Sequence, residues 1–236
     1  MAGLLVSVRS PREAEAALKG GAVLIDIKEP DAGSLGRASD AAIQAVLERI
    51  DDRLLVSAAM GELRDGARLF PGAGLAFVKW GLAGLGQHLG WRKCLAAAAK
   101  AMAQACSKTQ PVAVAYADCQ SALSPQPEDV CEFACENGWP FLLDTWTKNG
   151  STLLDFLPVS RILSLCAECR ARSVKVALAG SLGIREIETL LICAPAWFAV
   201  RTAVCRGGRR RNAIDPRRVN RLVEALRASP VAIDEN

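Results

Sequence analysis

The residues of this chain with the most chemical potential are lysines that close short apolar runs. In VLIDIKEP (23–30) side chains alternate between two faces, so Asp26 and Lys28 share one face and Ile25 and Ile27 the other. The apolar pair suits a strand covered by helices, which turns Asp26 and Lys28 inward. FVKWGL (77–82) repeats the pattern, with Phe77 and Lys79 on one face and Val78 and Trp80 on the other. FLLDTWTKNG (141–150) ends a run at Asp144 and carries Lys148 four residues on. Further polar residues end other apolar runs: Ser57, Tyr116, Asp118 and Arg201. Burying a lysine charge costs several kcal/mol unless it is paired or neutralised. The plain structural alternative is an Asp26–Lys28 ion pair.

A cluster of cations has a chemical use. An ordinary lysine has a pKa near 10.4, so only roughly one in 10³ is neutral at pH 7. Desolvation and neighbouring cations lower that value and expose the amine as a nucleophile toward carbonyls. The imine that forms acidifies the adjacent C–H, and a second lysine or a carboxylate can then move protons. Lys79 is expected both to do this and to depress Lys28 through its own charge. Glycine turns follow two later runs, Gly180-Ser181 in AGSLG (179–183) and Gly207-Gly208 in CRGG (205–208). With Arg201 they suggest phosphate contacts through exposed backbone N–H groups.

The elements that must position these groups form an alternating series. Strand patterns cover Leu4–Ser7, Val23–Lys28, Leu54–Ala59, Leu75–Lys79, Val112–Ala117, Phe141–Thr145, Val174–Ala179 and Trp197–Val204. Helical patterns cover Pro11–Lys19, Asp40–Ile50, Trp91–Cys106, Glu128–Asn137, Thr152–Ala171, Ile184–Leu191 and Pro216–Ala228. Eight strands alternating with helices predict an α/β fold, a (β/α)8 TIM barrel occupying residues 1–236 as one domain. The third helix is reduced or missing, because GELRDGARLFPGAGL (61–75) is broken by Gly61, Gly66, Pro71, Gly72 and Gly74. The active site of such a barrel lies at the C-terminal ends of its strands, where the lysines fall.

Composition sets outer limits. The chain has 51% hydrophobic and 23% charged residues and a net charge of +4, which excludes a disordered chain. No run reaches the roughly 20 apolar residues of a membrane span. The first residues lack a basic segment before their apolar run and read as a strand. Nine cysteines are then expected to be reduced thiols in a cytoplasmic protein. Cys166–Cys169 is a lone CxxC and Cys131–Cys135 a four-residue spacing, with one histidine, His88, in the whole chain. They are read as small apolar helix positions, and neither metal nor cofactor is expected. The cluster Arg206, Arg209, Arg210 and Arg211 raises RNA binding as an alternative. A single tyrosine and no interleaved aromatic patch argue against it. The expected partner is a small phosphorylated substrate, with no nucleic acid and no membrane; homo-oligomerisation is left open.

The strings DIKEPDAGSLG (26–36), LLVSAAMG (54–61), VKWGLAG (78–84), LLDTWTKNGSTLLDF (142–156), ALAGSL (177–182) and VRTAVCRGG (200–208) resemble the (5-formylfuran-3-yl)methyl phosphate synthase family, the furan-forming enzymes of methanofuran biosynthesis. The resemblance runs in order over nearly the whole chain. It implies a (β/α)8 barrel and a lyase that condenses two glyceraldehyde 3-phosphate molecules, losing phosphate and water. It implies the Schiff-base lysine at Lys28, an acid–base lysine at Lys79 and a functional pair at Asp144 and Lys148. Asp26 joins these as a catalytic candidate, and Ser57, Asp118, Gly180, Ser181, Arg201, Gly207 and Gly208 as substrate or phosphate contacts. In the implied order, the Lys28 enamine attacks the aldehyde of the second triose before phosphate leaves. A class I aldolase of other specificity is the enzymatic alternative.

Overall fold

The computed structural model describes residues 1–228. Eight parallel strands close on themselves in sequence order: β1 (Gly3–Val8), β2 (Leu24–Ile27), β3 (Leu55–Glu62), β4 (Phe77–Gly81), β5 (Gln110–Tyr116), β6 (Phe141–Asp144), β7 (Val176–Leu178) and β8 (Trp197–Val200). The register sets Ser7 beside Asp26 and Asp26 beside Ser57. It also sets Ala59 beside Lys79 and Tyr116 beside Asp144. Polar groups from six strands therefore reach the same end of the barrel.

The helices are α1 (Pro11–Lys19), α2 (Asp40–Ile50), α3 (Trp91–Ala105), α4 (Cys119–Ala122), α5 (Pro127–Asn137), α6 (Leu153–Phe156), α7 (Val159–Ala171), α8 (Ile184–Leu190) and α9 (Pro216–Ala228). Their starts follow local chemistry. Ser10 caps α1 by accepting from Glu13 N, with Pro11 in the first turn, and Ser39 caps α2. Two hydrophobic assemblies result, as a closed barrel requires. One lies between strands and helices and takes Ile25, Ile27, Val78 and Trp80. The other fills the barrel with Val112, Val114, Tyr116, Leu142, Phe77 and Trp197. The alternation expected for β2 and β4 is thus realised.

The third helix is absent. A single 3-10 turn, Leu63–Asp65, follows β3. Residues 66–76 run as a loop, with Gly66 and Gly74 at φ 101°. Phe70 and Leu75 are buried in the core there, and Trp80 Nε1 donates to Arg68 O at 3.0 Å. The loop covers the strands in place of a helix.

Several expected ends shift by one to three residues, and two elements differ by more. The helix expected over Thr152–Ala171 is split into α6 and α7 at Pro158, and the preceding Leu157 is extended. Proline supplies no N–H and disfavours helical backbone in the residue before it. The strand expected to run to Val204 stops at Val200, and Thr202–Val204 is a 3-10 turn. The break falls at Arg201, whose side chain bends into a buried ion pair.

Candidate active site

Two polar layers stack inside the barrel mouth. The lower one centres on Asp26, which accepts from Ser7 Oγ at 3.0 Å, Ser57 Oγ at 2.7 Å and Lys79 Nζ. Lys79 also donates to Ser57 Oγ at 3.3 Å. All four side chains are buried. Charge and hydrogen-bond capacity are matched there, which is the condition for a buried pair to persist. Ser57 does not border the cavity above, so its expected substrate contact gives way to a role in this layer.

The upper layer centres on Asp144. Its Oδ1 accepts from Lys148 Nζ and from the Thr145 backbone N–H, each at 2.8 Å. Ser34 Oγ, from the loop after β2, donates to Thr145 O at 2.9 Å and approaches Asp144 Oδ2 at 3.4 Å. Burial pushes the Asp144 carboxyl up, but Lys148 and Lys28 beside it, with those hydrogen bonds, bring it down to about 2.

Lys28 stands between the layers. It is 7% exposed, and among the described residues no side chain hydrogen-bonds or ion-pairs with its amine. Burial lowers its pKa and outweighs Asp144 and Asp26; Lys148 and Arg210 lower it further, to about 7. The Asp26–Lys28 ion pair weighed as a structural alternative does not form, because Asp26 is occupied by Lys79. The expectation that Lys79 is the depressing cation is corrected for the same reason: the cations that act on Lys28 are Lys148 and Arg210.

The cavity over Lys28 is bordered by Ser7, Asp26, Lys79, Asp144, Lys148, Gly180, Ser181, Arg201 and Arg210. Gly180 has φ 98° and Ser181 φ 55°. A Cβ on Gly180 would sit 2.8 Å from Thr145 Cγ2, so this loop needs glycine for both conformation and space.

Other expected contacts fall elsewhere. Arg201 donates Nη1 to Ser7 O at 2.8 Å and Glu13 Oε2 at 2.9 Å, Nε to Arg210 O at 2.9 Å and Nη2 to Glu13 Oε1 at 3.4 Å. Four of its five N–H groups are used within the protein, and its charge is balanced by buried Glu13. Asp118 accepts from the backbone N–H groups of Trp146 and Thr147 at 2.6 and 2.8 Å, and so shapes the loop that presents Lys148. Gly207 and Gly208 are exposed and do not border the cavity, and Gly208 N donates to Cys205 O. Arg210, one of the arginines weighed above for RNA binding, borders the cavity instead. Its guanidinium is half-buried at the mouth, and among the described residues its one hydrogen bond is to Gly33 O, at 3.4 Å. Ser7, Ser34 and Glu13 were also missed; nothing in their local sequence marks them as facing a lysine site.

Residues 4–223 match the family model described as 4-HFC-P synthase. The chain belongs to that family. It is 33% identical over 232 residues to the (5-formylfuran-3-yl)methyl phosphate synthase of Methanopyrus kandleri, covering 94% of this chain and 98% of that one. Identity is also 33% to the enzyme of the same name from Methanocaldococcus jannaschii, over 94% and 98% of the two chains. Family members are enzymes. Among solved structures, 3-hexulose-6-phosphate synthase from Salmonella typhimurium aligns with a TM-score of 0.60 at 17% identity, covering 95% of this chain and 99% of that one. Phosphoribosyl anthranilate isomerase from Thermus thermophilus aligns with 0.61 at 14% identity, over 96% and 98%. These likenesses show the TIM-barrel fold. No helix among the described residues is long and apolar enough to cross a membrane.

Proposed function

We propose that this 4-HFC-P synthase family member condenses two triose phosphates, supplied as glyceraldehyde 3-phosphate, into (5-formylfuran-3-yl)methyl phosphate through an imine on Lys28, as a cytoplasmic step toward methanofuran. One observation carries the reading: Lys28 is a buried amine without a carboxylate partner, depressed to about 7, at the mouth of a barrel. The relatives' names supply the product class. Atoms balance as two trioses giving product, one phosphate and two waters.

The product skeleton changes the order implied by the family resemblance. The formyl carbon sits one bond outside the ring, so the triose that supplies it enters the ring through its C2 and C3. Its C3 is the carbon that bore phosphate. Elimination therefore precedes carbon–carbon bond formation. Lys28 attacks the aldehyde and water leaves. The iminium acidifies C2–H, a base takes that proton, and the electron pair expels phosphate from C3. The resulting enol is nucleophilic at C3 and attacks the C2 carbonyl of the second triose, which reacts as its ketone isomer. The latter's hydroxyl closes the ring, water is lost, and hydrolysis frees Lys28. The isomerisation needs a group that removes and returns a proton. Asp144 stays ionised across the physiological range and Lys148 is its proton-bearing partner, so this pair serves both proton transfers. Arg210 and the Gly180–Ser181 turn face the phosphates.

The test is incubation with glyceraldehyde 3-phosphate alone, followed by mass spectrometry and phosphate assay. A furan phosphate and one phosphate per two trioses are expected. An aldol bisphosphate with no phosphate release would show an aldolase of other specificity, and salt-dependent RNA retention without product would show a binding protein.

A further inference from the structure

Outside the barrel, three cysteine thiols that the mechanism does not use converge. Cys131 and Cys135 lie four residues apart on α5, so they share one helix face. Cys169 reaches them from α7. The three Sγ atoms all lie within 4.8 Å of one another, with Cys131 and Cys169 at 3.4 Å. Cys131 and Cys169 are buried, and Cys135 is half-buried, which leaves an approach from solvent. Sulfurs bound about 2.3 Å from one ion in a trigonal plane stand about 4 Å apart. The three thiols therefore sit close to metal-binding geometry, without backbone movement.

We propose that Cys131, Cys135 and Cys169 form a three-sulfur site for a thiophilic d10 cation. The ligand set selects the class. It is all sulfur, and the chain's single histidine, His88, lies in the loop before α3, outside the cluster. Soft thiolates favour Cu(I) and Zn(II) over magnesium or calcium. Cu(I) is satisfied by three sulfurs, whereas Zn(II) takes its fourth donor from water at the Cys135 side. Glu168 and Glu128 act electrostatically on Cys131, giving the approach the sign that attracts a cation. Binding replaces three S–H protons by one metal ion: a monovalent cation leaves the site with net charge −2 and a divalent one with −1, and three protons go to solvent. The adjacent Cys166 is instead paired with Cys193. That pair provides a control of the same thiol chemistry nearby.

Cd(II), a spectroscopic d10 probe, is titrated into the reduced full-length protein while the near-ultraviolet thiolate-to-metal band is followed. Cu(I) is then titrated against a chromophoric chelator. The expected result is saturation at one ion per chain, with a rise in melting temperature that grows with free metal. Cys135→Ser should weaken both ions at least tenfold and remove the thermal response. Cys94→Ser and Cys193→Ala should leave both intact. Because Cys135 is half-buried, its variant should fold, which circular dichroism confirms; should Cys169→Ser fail to fold, Cys135→Ser decides. Wild-type affinity in Cys135→Ser, no saturation at one equivalent, or loss on Cys193→Ala would each overturn the site.

Discussion

Asp26 lies on β2 and Lys28 one residue past its end, yet Asp26 pairs with Lys79 across the barrel and leaves Lys28 alone. One carboxylate therefore neutralises the lower lysine, and the upper one is held by burial and by two other cations. An amine depressed to about 7 and an amine paired with a carboxylate coexist in one small site for that reason.

The first prediction concerns Lys28. Its folded pKa of about 7 lies below the unfolded value, so the folded chain binds fewer protons between about 7 and 10.5. Stability should rise with pH across that window and fall as pH drops through it. Lys28→Met should abolish borohydride trapping of a triose while raising the melting temperature at pH 7. A gain of roughly 1–2 kcal/mol, about 3–6 °C for a chain of this size, is expected. The variant should also lose the wild-type pH slope. Trapping that persists in Lys28→Met and maps to Lys79 or Lys148 would reassign the nucleophile.

Alternation made the inward direction of Lys28 and Lys79 legible, because Ile25, Ile27, Val78 and Trp80 could only face the helices. The glycines of 61–75 made the missing helix legible. Pairing was not legible. Whether Asp26 takes Lys28 or Lys79 depends on barrel register, a long-range quantity that no local pattern reports. Arg201 and Arg210 show the same limit. Both are arginines near the end of β8, and only the position of Glu13 on α1 decides which one is neutralised. The thiol cluster was invisible because Cys169 joins Cys131 from the next helix of the ring.

That division of labour between the arginines is the second prediction. Arg201→Ala should chiefly destabilise the fold, by about 1–3 kcal/mol, because it takes one of buried Glu13's two arginine partners and leaves only the half-exposed Arg9. Arg210→Ala should leave the melting temperature within about 2 °C and raise KM for triose phosphate at least tenfold, the loss of a charge-assisted contact worth about 1.5–3 kcal/mol. Steady-state kinetics and thermal scans on the two variants separate these outcomes. A KM defect confined to Arg201→Ala would restore it as the phosphate ligand.

Lys148 is the subject of the third. It holds Asp144 ionised and also lowers the Lys28 pKa. Lys148→Met should shift the acidic limb of kcat/KM upward, because Lys28 then keeps its proton to higher pH. Wild-type stability should be complete above about 4 and decline as pH falls toward about 2, where Asp144 takes a proton. In Lys148→Met that decline should begin at higher pH. An unmoved limb together with unchanged acid unfolding would remove Lys148 from both roles.

The fourth prediction turns on the neutrality of the Asp26–Lys79 pair. Seen from Lys28, its two charges largely cancel. Lys79→Met removes one of them and leaves Asp26 held only by Ser7 and Ser57. The uncovered anion favours the protonated form of Lys28. The pH at which imine trapping reaches half its maximum should therefore rise above about 7. Trapping is the right readout, because it needs only imine formation and survives the loss of a later proton carrier. Asp26→Asn combined with Lys79→Met removes both charges, and the midpoint should return toward the wild-type value. A midpoint that stays raised in the double variant would show that the Asp26 charge does not act on Lys28. The double variant thus decides whether Asp26 is the carboxylate through which Lys79 is felt.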